Sequence, residues 1–429
     1  MAIFALYDIN NCYASAEKLF SPKLKDRPVV VLSSNDGCVV ARSAEAKALK
    51  VPMGIPWFKM LDQARQYGIV ALSSNYELYG DLSNRVVSVL RQFTPHLEVY
   101  SIDESFLSLD GFSHLDLEDY GRAIRERVLQ WVGLPGCVGI GLSKTQAKIS
   151  NFMAKKGLAG RDGVCNLLSM PASQLDDLLG RIEVAEVWGV GRKIDAQLQS
   201  MGITTVKDLR DADPSMIRQR FSVVLERTVR ELNGVSCLAL EEVAPDKKQI
   251  MVSRSFGQYA YAFSELCDAV ATYTTRAAEK LRAQDSVATA MLVFIETNYF
   301  REDEPQYHNS YRLTFPEATS DTRDLVQYAL KALRRIYRRG YGFKKCGMML
   351  TDIRPKEAVQ ASLFAPAPGE SRSDKIMSLM DDINSKWGRG AIRVAAVAAE
   401  HPWAMRRERK TPCYTTRGDE LPEIGRAHV

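Results

Sequence analysis

The chain is 429 residues long, with 57 Lys and Arg against 52 Asp and Glu. That length supports three or four domains with substantial cores, and the small basic excess neither demands nor excludes a polyanionic partner, so the placement of charge carries the argument. Eight cysteines, at 12, 38, 137, 165, 237, 267, 346 and 413, show no CxxC spacing and read as reduced thiols, which excludes a zinc frame or a disulfide scaffold. No stretch approaches the roughly 18–20 apolar residues of a membrane span, so the expectation is a soluble, cytoplasmic chain without a membrane partner.

IFALYDIN (Ile3 to Asn10) reads as an apolar strand ending on Asp8, and NNCYASAEKLF opens a helix capped by Asn10 or Asn11. A carboxylate at such a junction can simply serve the cap. Between Pro28 and Val51 come a strand, PVVVL, a turn, SSNDG, a second strand, CVVA, and a helix with Arg42, Glu45 and Lys47. Those cations suit either a solvated helix face or the neutralisation of phosphates. After the helix YELYGDLSNRVVSVLRQF comes LEVYSIDESFLSL (Leu97 to Leu109), which sets Asp103 and Glu104 among Val99, Tyr100, Ile102, Phe106, Leu107 and Leu109, residues of buried-sheet character.

Neighbouring strand side chains face opposite ways, so both acids can serve one cation only where the strand turns, and a hairpin with the acids at its tip is predicted. Such a tip is either an ordinary exposed turn or a site for a hard divalent metal, since a carboxylate in apolar surroundings needs compensation. Paired across a sheet, Asp8, Asp103 and Glu104 complete a three-carboxylate site for two metals about 3.5–4 Å apart, the arrangement of in-line phosphoryl transfer.

Next come a helix, DLEDYGRAIRERVLQWV, a strand, CVGIGLS, and a helix, KTQAKISNFMAKKG, with Ser143 as N-cap, Gly157 as C-cap, and Lys155 and Lys156 complementing the dipole at its end. The alternation indicates an α+β fold. In VWGVGRKIDAQLQSMGI (Val187 to Ile203) the turn Gly189-Val190-Gly191, a second helix and another glycine turn read as a helix-hairpin-helix. Its amides can hold a phosphate, and Arg192 and Lys193 add charge. Past a polar linker, APDKKQ (Ala244 to Gln249), strands at Ile250–Gly257, Ala288–Glu296, Ser310–Phe315 and Gly347–Asp352 and helices at Ser264–Arg282 and Asp321–Tyr337 make a βαββαβ order of ferredoxin-like type. From Leu325 to Lys345, Lys331, Arg334, Arg335, Arg338, Arg339, Lys344 and Lys345 occur with no acid, which favours a phosphate-tracking surface over a solvated face of mixed sign. The tail beyond Arg354 carries a Pro-punctuated stretch, one helix (Ser373 to Trp387) and a basic run, MRRERKTPCYTT, suited to DNA or to a partner.

DINNCYASAE (Asp8 to Glu17) and YSIDESF (Tyr100 to Phe106), in this order, resemble the two metal-binding motifs of the Y-family, or translesion, DNA polymerases. SSNDGCVVARSAEAKALKV (Ser33 to Val51), SSNYELY (Ser73 to Tyr79) and VWGVGR (Val187 to Arg192) look closest to the UmuC-type branch, the catalytic subunits of bacterial DNA polymerase V. The resemblance runs over nearly the whole chain. It implies an α+β right-hand polymerase with a palm at 1–11 and 76–168, small fingers at 12–75, a helical thumb at 169–235, a linker at 236–249, a ferredoxin-like little finger at 250–353 and a partner-binding tail at 354–429.

The resemblance further implies error-prone, template-directed synthesis across damaged bases in the SOS response, using two Mg²⁺ ions. One, on Asp8, Asp103 and Glu104, activates the primer 3′-hydroxyl; the other, on Asp8, Asp103 and the Ile9 carbonyl, holds the triphosphate and stabilises the departing pyrophosphate. Tyr13 falls at the steric-gate position, the amides of Asn11, Cys12 and Tyr13 face the triphosphate, and Lys47 and Lys155 bind it. Cys12 stands where an aromatic is common, and Ala44 where a tyrosine is frequent. Gln360, Leu363 and Phe364 resemble a sliding-clamp-binding pentapeptide, and the tail implies a processed UmuD-type dimer and RecA as partners besides primer-template DNA and deoxynucleoside triphosphates. Two other classes compete: a nucleotidyl cyclase, which needs no template grip, and a non-catalytic DNA- and clamp-binding scaffold, which needs no acids.

Overall fold

In the computed structural model, which describes residues 2–243, 245–358, 372–399 and 401–421, the first strand, β1 (Phe4–Ile9), is buried at every position. An apolar strand with no polar face is what a sheet centre covered on both sides requires. The chain then runs through α1 (Cys12–Leu19), β2 (Val29–Leu32), β3 (Val39–Arg42), α2 (Ala44–Ala48), α3 (Leu61–Tyr67) and β4 (Val70–Ser73). These three strands form a small sheet in the order β3-β2-β4, around a core of its own that includes Val30, Leu32, Val39, Trp57 and Met60. Arg42 ends β3 instead of lying in the helix, because Ser43 caps α2 by accepting from the Ala46 amide.

Following α4 (Tyr76–Leu90) come β5 (Leu97–Val99), β6 (Glu104–Ser108), α5 (Leu117–Val132), β7 (Gly136–Gly141), α6 (Lys144–Lys156) and β8 (Val164–Asn166). The main sheet has the order β5-β6-β1-β7-β8, antiparallel except for the β7–β8 pair. Its predicted hairpin forms, with Tyr100 and Ser101 both donating to the Glu104 carbonyl. Phe106, Leu107 and Leu109 are buried, but Val99 and Tyr100 are exposed, since strand pairing stops at Val99 and Ser105.

Both predicted caps of α6 are present: Ser143 accepts from the Gln146 amide, and Gly157 adopts a left-handed conformation. At α1 the cap falls on one of the two residues expected, but its side chain takes no part. Asn11 takes the N-cap position in a left-handed conformation, φ 51°, and makes no side-chain capping bond. Gly139 sets the distance between β7 and α6, because a Cβ there would lie 2.1 Å from the Asn151 nitrogen and 2.3 Å from the Ala147 oxygen.

Helices α7 (Ala172–Leu179), α8 (Arg192–Ser200), α9 (Val206–Asp211), α10 (Pro214–Arg220) and α11 (Val223–Leu232) pack around Leu179, Val206, Leu209, Leu225 and Val229, together with Ile149 and Met153 of α6. Glu231 anchors this body. Fully buried, it accepts from the amide and hydroxyl of Thr145 and from the amides of Cys237 and Leu238, which satisfies the carboxylate with four donors.

The chain divides into two compact units, residues 1–244 with 409–429, and 245–408. In the second, β9 (Ile250–Ala260), α12 (Phe263–Arg282), β10 (Ser286–Glu296), β11 (His308–Thr319), α13 (Thr322–Ile336), β12 (Phe343–Pro355) and α14 (Arg372–Trp387) follow one another. The βαββαβ order is present in a wholly antiparallel sheet, β11-β10-β12-β9. Its strands run longer than their apolar patterns, because pairing continues to Pro355 opposite Ser286 and to Phe343 opposite Ala260. Gln360, Leu363 and Phe364 lie outside the described residues. Among those described, no helix is long and apolar enough to cross a membrane, and all eight cysteines are free.

Candidate active site

Asp8 lies directly opposite Glu104 in the β1–β6 register, and the Ile9 amide donates to the Asp103 carbonyl at 2.9 Å. Backbone pairing alone thus brings all three predicted acids, and Ile9, to one end of the sheet. Each carboxylate has its own local partner. Lys155 Nζ lies 2.5 Å from Asp8 Oδ1, both Glu104 oxygens accept from Lys148 Nζ at 2.9 Å, and Asp103 Oδ1 accepts from Ser101 Oγ at 2.6 Å. So arranged, no three His, Cys, Asp or Glu side chains among the described residues form a metal cage.

Asp8 nonetheless carries the mark of a cation site. Burial is the main cause that pushes its carboxyl up to about 6; Lys155 pulls it down, while Glu104 and Asp103 push it further up. A buried carboxylate crowded by two others is relieved by a hard divalent ion, and an all-carboxylate donor set is what such an ion takes.

Cations gather beside the acids. The Lys47 ammonium is held below its usual value first by burial and then by Arg42, Lys155 and Lys156, and Arg42 Nε is buried without a hydrogen-bond partner. Four mutually repelling cations, one with an unsatisfied donor, favour a polyanionic ligand. The first amides of α1, from Cys12 onward, are the unsatisfied donors of a helix start. Cys12 itself is buried, which pushes its thiol up to about 12. Tyr13 stacks on Tyr79 with centroids 4.5 Å apart and meets Tyr76 edge-on at 5.8 Å; burial and then Tyr76 push its hydroxyl up to about 12.

Sequence reading missed Lys148 and Trp188. The Lys148 ammonium that holds Glu104 sits 4.5 Å from the Tyr100 ring, 5.2 Å from Trp188 and 5.8 Å from Phe106, and Trp188 Nε1 donates to the Tyr100 hydroxyl at 3.1 Å. Lys148 and Trp188 border a cavity of about 230 Å³ with Asp8, Glu104 and Lys155. The available signal was spacing: Lys144, Lys148 and Lys155 fall within about 40° of one another on a helix of 3.6 residues per turn.

Downstream, Gly189 takes φ +90° and exposed Gly191 is the N-cap of α8, which starts at exposed Arg192 and Lys193. The turn is as read, but a short 3₁₀ turn, Val184–Glu186, stands where the preceding α-helix was expected. In the second unit Arg338 and Arg339 are exposed. Lys344 donates to the Phe256 carbonyl at 2.6 Å, and Lys345 pairs at 3.5 Å with Glu296, its cross-strand neighbour. The acid missing from the local sequence comes from β10.

A sheet ending in these acids beside a small three-stranded domain, with a helical body and a second α+β unit, is the fold of a Y-family DNA polymerase. The chain matches a Y-family chimera of Dbh and Dpo4 with a TM-score of 0.63 at 19% identity, over 82% of this chain and 99% of that one. Family models described as the impB/mucB/samB family and its C-terminal domain match residues 7–151 and 247–363, and a domain of unknown function matches 374–424. Protein UmuC of Salmonella typhimurium is 45% identical over 98% of this chain and 100% of its own length, and DNA polymerase IV of Desulfatibacillum aliphaticivorans is 27% identical over 92% and 96%. The chain belongs to the impB/mucB/samB family.

Proposed function

We infer that the chain is an error-prone, template-directed DNA polymerase that performs translesion synthesis by nucleotidyl transfer to a primer 3′-hydroxyl. The observation that carries this reading is the pairing of Asp8 with Glu104, with Asp103 one residue away, beside the cations Arg42, Lys47, Lys155 and Lys156. Two Mg²⁺ ions held by Asp8, Asp103, Glu104 and the Ile9 carbonyl supply charge neutralisation and a more acidic primer hydroxyl.

The chain's own residues do the rest. Lys47, Lys155 and the amides of Asn11, Cys12 and Tyr13 bind and orient the triphosphate of a deoxynucleotide. The Tyr13 ring, backed by Tyr79, occupies the space a 2′-hydroxyl would need. The amides of the Gly189–Gly191 turn, with Arg192 and Lys193, hold the phosphates of primer-template DNA without reading bases, as do Arg338 and Arg339, with Lys344 and Lys345 nearer the sheet. We assign the palm to 1–11 and 76–168, the fingers to 12–75, the thumb to 169–235 and the little finger to 250–353. The clamp contact at Gln360, Leu363 and Phe364 and the UmuD-type dimer and RecA as partners rest on sequence resemblance, and a cytoplasmic location rests on the cysteine pattern and the lack of a membrane-length apolar run in the sequence. A cyclase has no use for the α8 turn or the basic stretch after Leu325, and a scaffold has no use for three acids crowded at the end of a sheet, Asp8 among them buried.

Primer extension past an abasic site, with the processed UmuD-type protein, activated RecA and clamp added, tests the assignment. Asp103→Ala/Glu104→Ala is expected to lower incorporation by about 10³-fold or more while DNA binding persists. Unchanged incorporation by the double variant overturns the catalytic assignment.

A further inference from the structure

Residues 409–421, read in the sequence as part of a basic tail, return to the first unit and bind behind the proposed gate. The Ser73 amide donates to the Arg409 carbonyl at 3.0 Å, and the Arg409 amide donates to Ser73 Oγ at 2.9 Å. Asn75, fully buried at the N-cap of α4, accepts from the Leu78 amide. Its side-chain nitrogen donates to Thr411 O at 3.0 Å, Thr411 Oγ1 at 3.2 Å and Pro412 O at 3.1 Å. Tyr414 stacks on Phe20 at the end of α1, centroids 4.8 Å apart. The segment therefore grips both helices that carry the Tyr13–Tyr79 stack.

A second connection runs through a buried charge. Glu17, on α1 and 1% exposed, accepts from the Tyr79 hydroxyl at 2.6 Å through Oε1, while its Oε2 is buried without a hydrogen-bond partner; Lys410, on the strap, is a cation that acts on it. A buried carboxylate keeps its place only when hydrogen-bonded and compensated. One of the two groups that do this for Glu17, Lys410, comes from the strap. The other, Tyr79, is the ring on which Tyr13 lies.

We propose that residues 409–421 are a strap whose Thr411 and Tyr414 act as positioning residues for Tyr13, so that discrimination against ribonucleotides depends on a segment nearly four hundred residues away in the chain. The inference rests on the reading of Tyr13 as the sugar gate. Strap contacts fix the α4 cap at Asn75 and the end of α1 at Phe20, these fix Tyr79 and the Glu17 that holds its hydroxyl, and Tyr79 sets the height of the Tyr13 ring over the incoming sugar.

The test uses the full-length chain and compares kcat/KM for a deoxynucleotide with that for the matching ribonucleotide. Thr411→Val, which keeps the shape and removes the hydroxyl, and Tyr414→Ala are expected to lower the ratio about tenfold, chiefly through a lower ribonucleotide KM. Tyr414→Phe, which keeps the stacked ring, should retain the wild-type ratio, and Tyr13→Ala serves as reference. A Tyr13→Ala variant with unchanged sugar preference overturns the gate and the strap together. Loss of preference in Tyr13→Ala with a wild-type ratio in a folded Thr411→Val overturns the strap alone.

Discussion

Helices α6 and α13 each lie on a sheet and each carries several cations, yet they treat them in opposite ways. On α6, Lys144, Lys148 and Lys155 pair with Glu98, Glu104 and Asp8 of the sheet beneath. On α13, Lys331 lies over Tyr328 and Arg335 over Tyr311, and Lys331, Arg334 and Arg335 make no ion pair among the described residues. The cause is which face holds the apolar stripe. Leu325, Ala329, Leu333 and Ile336 take the sheet side of α13, leaving Lys331, Arg334 and Arg335 to solvent, whereas on α6 Ile149 and Met153 face the α7–α11 core and leave the lysines on the side where Ala147 meets the sheet. Charge cancelled inside the fold orients a site; charge left outside attracts a polyanion.

The largest way to sharpen this contrast is pH. The Asp8 carboxyl, raised from 3.8 to about 6 in the folded chain, binds its proton more tightly folded than unfolded. Stability of the metal-free protein therefore falls as pH rises from about 4 to about 6 and stays low above that, by about 2–3 kcal/mol from this group. Denaturant midpoints in chelator at several pH values should show this slope in the wild type relative to Asp8→Asn, in which that component is gone. Equal slopes would mean that Lys155 already compensates Asp8 fully.

A smaller effect separates the two helices directly. Lys148→Met leaves the half-buried Glu104 carboxylate without two hydrogen bonds and should lower metal-free stability by about 1–2 kcal/mol, whereas Lys331→Met should stay within about 0.5 kcal/mol. Equal losses in urea titrations would erase the distinction. The smallest change is in salt dependence. Arg334→Ala/Arg335→Ala should leave the fold intact and reduce the slope of log affinity for primer-template DNA against log salt by about 0.9 for each phosphate these arginines neutralise; an unchanged slope would place DNA elsewhere.

Much of this site could be read locally. Asp8 closes an apolar strand and Asp103 and Glu104 open another, so their cost was visible without any partner. The α6 caps at Ser143 and Gly157 were equally plain, because capping depends on residues within one turn. Arg42 was misplaced, and Asn11 took an expected cap position without a capping bond: a helix cap is made by a side chain that reaches a free amide, and Ser43 does so while Asn11 does not. Lys148 carried no motif, and Trp188 lay in one read only for its glycine turn, since an aromatic box around an ammonium is assembled from three separate elements. The 409–421 segment read as a basic tail because its partners, Ser73, Asn75 and Phe20, lie far upstream.

By itself the sequence determined the acids, the glycine turn, the element order and membership of the polymerase family, all of which follow from short-range pattern. Only the tertiary structure decided that Asp8 faces Glu104, that three lysines of one helix are claimed by three acids, and that residues 409–421 return to Ser73, Asn75 and Phe20. Those outcomes depend on strand register and helix packing, which are set by contacts between residues distant in the chain and leave no local period to read.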